Sequence, residues 1–288
     1  MEWTRFTQPL QTNPRLRAAA LLAVLLAAGA LFSLANVSFV RAATASITVA
    51  SINSPVPAAD PFSPLWQQSA PADVPLSAQQ MWQPGGGSVS AVQVRALEDG
   101  QNIAFLVSWA DATRNDYVRD MPSDAGAIQL PTNPASLPYQ CMGQSTNVVN
   151  IWQWKAAIEK TAHTSGQPYN GTRNLTSNGM GKAVETRGVP PTATSTWRDG
   201  HWYVVYARKL APAGPGTAPL MLGENTNAAF AIWDGAKGET RSMKAVSTWT
   251  PVELPGTTTN EAMNLVSLAI LGLVAAGAVV LAWRIIPH

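Results

Sequence analysis

The chain has 288 residues, of which 12% are charged, and its 19 basic and 17 acidic residues leave a formal charge of +2. Arg5, Arg15, Arg17, Arg41 and Arg284 all flank two long apolar runs; 14 basic and 16 acidic residues remain between positions 42 and 262, so no basic face for nucleic acid is implied. Cys141 is the only cysteine, which excludes an internal disulfide, a C-x-x-C-H haem attachment, and a cysteine-held iron–sulfur cluster or structural zinc within the chain.

Residues 1–17 form a short polar N-terminus with three arginines. Residues 18–40 carry no charge, a run of 23 that is long enough to cross a bilayer as a helix. The basic flank keeps the N-terminus cytoplasmic. Val40-Arg41-Ala42 also fits a signal-peptide cleavage site, but the apolar run exceeds a usual signal core, which favours a retained anchor. Residues 41–88 are rich in Pro, Ala, Ser and Gln. They read as an extended linker whose P-F-S-P-L-W stretch docks its aromatics on the domain that follows. Gly85-Gly86-Gly87 is a turn without the Lys-Ser/Thr of a phosphate loop.

A β-rich domain is predicted over residues 89–254. Val92, Val94 and Ala96 alternate, Glu98-Asp99-Gly100 turns, and Phe105, Val107 and Trp109 return, which is a hairpin. Residues 111–138 read as loop. Asp111, Asp116, Asp120 and Asp124 lack the spacing and terminal Glu of a calcium loop and are taken as loop solvation. A Pro-rich loop then passes through Met142 and Gly143 into V-N-I-W-Q-W-K, where Trp152 and Trp154 share a strand face. A short helix is expected over 155–162, then a polar insertion with little core potential over 164–196. Strands follow at 201–210, 227–233 and 244–249, with a turn at 234–239. Short strands separated by Gly/Pro turns predict a mainly β chain, an antiparallel β-sandwich.

Residues 255–264 are a linker, 265–283 a second uncharged run, and 284–288 a tail. Trp283 and Arg284 at its end fit a transmembrane helix with a cytoplasmic C-terminus. Two such helices flank the sandwich and place it on the periplasmic or extracellular side of the cell membrane. Neither run holds a histidine, so a bis-histidine haem within the bilayer has no ligands.

Four pieces stand in order: V-Q-V-R-A-L-E-D-G-Q-N-I-A-F-L-V-S-W-A-D at 92–111, P-Y-Q-C-M-G at 138–143, V-N-I-W-Q-W-K at 149–155, and F-A-I-W-D-G-A-K-G-E-T-R-S-M-K-A-V-S-T-W at 230–249. Together they resemble the haem-binding γ subunit of ethylbenzene dehydrogenase and its relatives, which serve exported molybdenum enzymes. The resemblance covers about residues 60–252. It implies one non-covalent haem b in a β-sandwich, with a methionine and a lysine as axial ligands. The methionine position is Met142, with Met121 and Met243 as alternatives under a shifted register. The lysine position is Lys244, with Lys237 in reserve. Trp152, Trp154, Trp233 and Trp249 are candidates for the pocket wall, or equally for the sandwich core. Arg208, Lys209 and Arg241 are candidates to meet the haem propionates. A lysine ligates only as the neutral amine, so its pKa must fall from ~10.4. Two protein ligands leave iron no open position, which implies electron transfer rather than catalysis. The implied partners are iron–sulfur and molybdenum subunits, a soluble cytochrome c or similar carrier, and the membrane. The rival expectations are a carbohydrate- or ligand-binding module, which would use the 11 tryptophans, and a cofactor-free scaffold subunit.

Overall fold

The computed structural model describes residues 46–256, apart from 82–83, 118–120, 139–141, 166–170, 187 and 213. The two uncharged runs and Cys141 lie outside the described residues. No helix among the described residues is long and apolar enough to cross a membrane.

The strands in chain order are β1 Ile47–Ser51, β2 Ala72–Pro75, β3 Ser77–Ala78, β4 Ala91–Glu98, β5 Asn102–Ala110, β6 Ala125–Pro131 and β7 Val149–Lys155. The helix α1 Ala156–Ser165 follows, then β8 Arg173–Ser177, β9 Val184–Glu185, β10 Thr192–Arg198, β11 His201–Lys209, β12 Thr226–Trp233, β13 Ala245–Val246 and β14 Thr250–Glu253. All belong to one curled sheet, in the order β10-β11-β5-β4-β1-β14-β12-β6-β7-β8-β9, with β2, β3 and β13 attached beside it. β1 and β14 join its two halves, and β1 runs parallel to both β14 and β4. The ladder is therefore not wholly antiparallel, as the sequence pattern had suggested.

The hairpins form for local reasons. Between β4 and β5, the Asp99 carboxylate accepts from the backbone N–H groups of Gln101 (3.0 Å) and Asn102 (2.7 Å), and Gly100 takes φ 81°. Between β10 and β11, Asp199 and Gly200 both take positive φ, which matches the twist of a two-residue hairpin. Three further segments depart from the sequence reading. The 41–88 segment contributes β1, β2 and β3 rather than only a linker. The 111–138 segment contains β6, and the polar stretch after α1 contains β8, β9 and β10.

The two halves face one another across the main core. Phe105 meets Trp152 with ring centroids 6.2 Å apart, Trp109 meets Trp154 at 6.0 Å, and Trp154 meets Trp202 at 4.8 Å, all edge-on. Both β7 indoles are fully buried and find acceptors: Trp152 donates to Asn150 Oδ1 (3.0 Å) and Trp154 to Glu159 Oε2 (2.5 Å). A second apolar cluster covers the outer side of β4, β5 and β11, where Trp66 and Ile52 pack on Leu97, Leu106 and Val205. A third lies outside β6, β7, β8 and β12. Trp154→Ala is expected to cost about 3–5 kcal/mol of folding free energy, measured as a lower denaturant midpoint.

Candidate functional site

The third apolar cluster is the floor of a cavity of about 1220 Å³. Successive residues of a strand point to opposite faces. On β7, Trp152 and Trp154 therefore enter the main core while Ile151, Gln153 and Lys155 line the cavity. On β6 the cavity takes Ala125, Ala127 and Gln129; on β12 it takes Ala229, Ala231 and Trp233. The alanines keep the floor low, and the aliphatic atoms of Ile151 and Leu175 keep it apolar.

One loop brings Met142 to this cavity. Met142 packs against the third cluster at φ 65°, and its carbonyl accepts from Gly179 N–H at 3.0 Å. The next residue must be glycine: at Gly143, φ 80°, an added Cβ would stand 2.6 Å from the Ser177 carbonyl oxygen. Trp249 Nε1 donates to the Pro138 carbonyl at 2.8 Å and so ties this loop to the strand region after β13.

A second segment brings Lys244. Its N–H donates to the Gly85 carbonyl (3.2 Å) and its own carbonyl accepts from Gln79 N–H (3.0 Å). Gln79 Nε2 also donates to the Ser242 carbonyl at 3.1 Å. Ser247 pins the segment to β12 through two bonds with Phe230, N–H to carbonyl at 2.9 Å and Phe230 N–H to Oγ at 2.8 Å. The K-x-x-S-x-W pattern thus presents Lys244, locks Ser247 to the sheet, and reaches the methionine loop with Trp249. Lys244 Nζ lies 5.0 Å from the Trp233 ring centroid, and Trp233 Nε1 donates to the Arg241 carbonyl at 3.0 Å.

Met142, Trp233, Lys244 and Met121 all line the cavity. Trp152 and Trp154 do not, which corrects their assignment to the pocket wall; the two-residue strand period turns both inward. Lys237 is exposed and Met243 lies beside Gly85, both off this cavity. The described histidines, His163 and His201, are exposed and also away from it.

The sequence reading missed two of the cavity's cations. Lys155 and Arg173 line it along with Arg241 and Lys244. Burial, then the neighbouring Arg173, holds the Lys155 amine below its ordinary range, so an anion beside it would be favoured. Arg173 is paired with Glu185 at 2.7 Å. Arg208 is elsewhere: it is buried, donates to the Ala218 carbonyl at 2.9 Å, and burial lowers its pKa to about 10. Lys209 is exposed and off the cavity.

A putative respiratory nitrate reductase heme subunit of Haloferax mediterranei is 28% identical over 81% of this chain and 82% of the relative. The chlorate reductase subunit gamma of Ideonella dechloratans is 26% identical over 66% of this chain and 77% of the relative. The dimethylsulfide dehydrogenase subunit gamma of Rhodovulum sulfidophilum is 27% identical over 54% and 56%. Among solved structures, a family 9 carbohydrate-binding module of Caldicellulosiruptor kristjanssonii in complex with glucose aligns at TM-score 0.41 and 12% identity, over 73% of this chain and 96% of that one. The ethylbenzene dehydrogenase family model matches residues 63–191 and 190–245, and the chain belongs to that family.

Proposed function

We propose that this chain is the haem-carrying electron-transfer subunit of a molybdenum oxidoreductase complex. One haem b would occupy the cavity, with Met142 and Lys244 as its axial ligands. The observation that carries this reading is that a thioether and an amine, 102 positions apart in sequence, line one large apolar cavity. The cavity exceeds the ~300–1000 Å³ of ordinary small-ligand sites, which suits a macrocycle. The names of the relatives, a heme subunit and two gamma subunits of oxidoreductases, support the same reading.

When bound, the haem supplies one-electron redox chemistry. The chain's residues would do the rest. Met142 and Lys244 would hold the iron and so keep small molecules off it. A thioether ligand favours the ferrous state and raises the potential. Lys155, Arg173 and Arg241 supply cations for the propionate carboxylates. The apolar floor excludes water. Electrons would pass between an iron–sulfur partner subunit and an external carrier such as a soluble cytochrome c. The uncharged runs at 18–40 and 265–283 would anchor the domain to the cell membrane on its outer side.

Gly86 positions Lys244 in this arrangement. At φ 81°, a Cβ on Gly86 would run into the Lys244 backbone nitrogen and stand 2.7 Å from its Cα. Gly100 has the same φ with nothing within 4 Å, so it serves as the control.

In absorption spectra of the purified chain, wild type is expected to show a sharp low-spin b-type α band on reduction, with about one haem per chain by pyridine haemochrome. Met142→Ala and Lys244→Ala should each lose that band or turn high-spin, and Lys237→Ala should keep it. A well-folded wild type without a haem band would overturn the proposal. In the same assay Gly86→Ala should weaken the low-spin band and cost about 1–3 kcal/mol of stability. Gly100→Ala should leave the band intact and cost only the about 1 kcal/mol of placing alanine at positive φ.

A further inference from the structure

Beside the cavity but not among its lining residues, the fold gathers three buried carboxylates. Asp111 follows β5, Asp124 precedes β6, and Asp234 follows β12; each offers an oxygen, and these oxygens all lie within 4.8 Å of one another. None of the three is in an ion pair among the described residues, although Asp116 nearby in sequence pairs with both Arg114 and Lys160. Two of the carboxylates are tied to the backbone. Asp124 accepts from Asn115 N–H (2.7 Å), Trp202 Nε1 (3.0 Å) and Gly235 N–H (2.8 Å). Asp234 accepts from Lys237 N–H at 3.3 Å. Asp111 differs. Its Oδ1 accepts from Thr113, but its Oδ2 is shielded from water and accepts no hydrogen bond, in a residue only 5% exposed.

Buried carboxylates that lack both a cation and a full set of donors are held by a metal or lose their charge. The donor set here is all oxygen, with no histidine or thiolate in the cluster, which selects a hard cation over zinc or copper. Three carboxylates from three separate segments suit the irregular, oxygen-rich shell of calcium better than the strict octahedron of magnesium. We propose that Asp111, Asp124 and Asp234 form a structural calcium site, with water or main-chain carbonyls completing the shell.

The site staples the stretch between β5 and β6 to the turn after β12. Gly235 already fits against this stretch so closely that a Cβ would collide with the Pro122 carbonyl. The same turn leads from Trp233 to Glu239, Arg241 and Lys244 of the cavity. The sequence spacing pointed to loop solvation for these aspartates, but Asp111 and Asp124 are buried instead. The third acid, Asp234, arrives 110 residues after Asp124, through the pairing of β12 with β6.

The test uses the full-length chain purified in detergent, stripped with EDTA, then dialysed against micromolar calcium or magnesium. Elemental analysis is expected to find about one calcium per chain. Calcium in excess should raise the thermal midpoint by about 5 °C or more, with magnesium doing much less. Asp111→Asn and Asp234→Asn should each abolish the calcium response, and Asp116→Asn should retain it. A folded, stripped wild type that takes up no calcium and melts at the same temperature with and without it overturns the site, whatever the variants do. Calcium binding that persists in a folded Asp111→Asn chain overturns the assignment. No readout depends on haem, so the site stands or falls separately from the proposed function.

Discussion

A strand has two faces, and in half of this sheet both are apolar. β6 is buried at all seven positions, and β7 and β12 nearly so. Their inner faces fill the core with Trp152, Trp154 and Phe230. Their outer faces would otherwise meet water, at about 25 cal/mol for each Å² of apolar surface exposed. The molecule therefore has to cover that side. It does so with the short β3 and β13 strands and with the loops around Met142, Met180 and Arg241, which enclose a volume instead of packing flat. The cavity follows from a sheet apolar on both sides whose second cover is made of loops.

Each loop is held by hydrogen bonds and close contacts outside the Met142 and Lys244 side chains. The Met142 loop is held by Gly179, by the close fit of Gly143 on Ser177, and by Trp249 on Pro138. The Lys244 segment is held from both sides, by Gln79 and Gly85 on one and by Ser247 against β12 on the other. If Met142 and Lys244 hold the haem as proposed, these backbone restraints would leave their segments little ordering to do when it enters.

The legible parts of the sequence were those with strong periodicity or strong turn chemistry. The β4–β5 hairpin can be read because the alternation and the Asp-Gly pair agree. β6 cannot, because Ala125, Gly126 and Ala127 carry little β propensity and sit in an Asp- and Pro-rich stretch. The smallness that hides the strand is what lowers the cavity floor. β8 was hidden by polar residues that are buried in the fold: Asn174 accepts from Asn150 Nδ2 at 2.8 Å, a partner no local pattern reveals. Met142 and Lys244 were reached through the family resemblance. Composition alone would have left Met142 as core filler and Lys244 as a solvated lysine. Lys155 carried a weak local signal: it is the next odd position after Ile151 and Gln153, opposite in face to Trp152 and Trp154.

The placement of the aromatics separates the two readings the composition left open. A carbohydrate platform needs aromatic rings presented to solvent; among the described residues no tryptophan is exposed, and the exposed aromatics Phe62 and Tyr117 do not line the cavity. Six of the eight are buried and Trp197 and Trp249 partly so, and every one except Trp109 donates its indole N–H to an acceptor within the fold. What the surface near the cavity does expose is methionine, Met81, Met121 and Met180, which line it and are between 38% and 49% exposed. Thioethers are adaptable apolar contacts that tolerate an irregular or changing neighbour. In the proposed reading such a rim would meet the edge of the macrocycle and a passing redox partner; it offers little to the hydroxyls of a sugar.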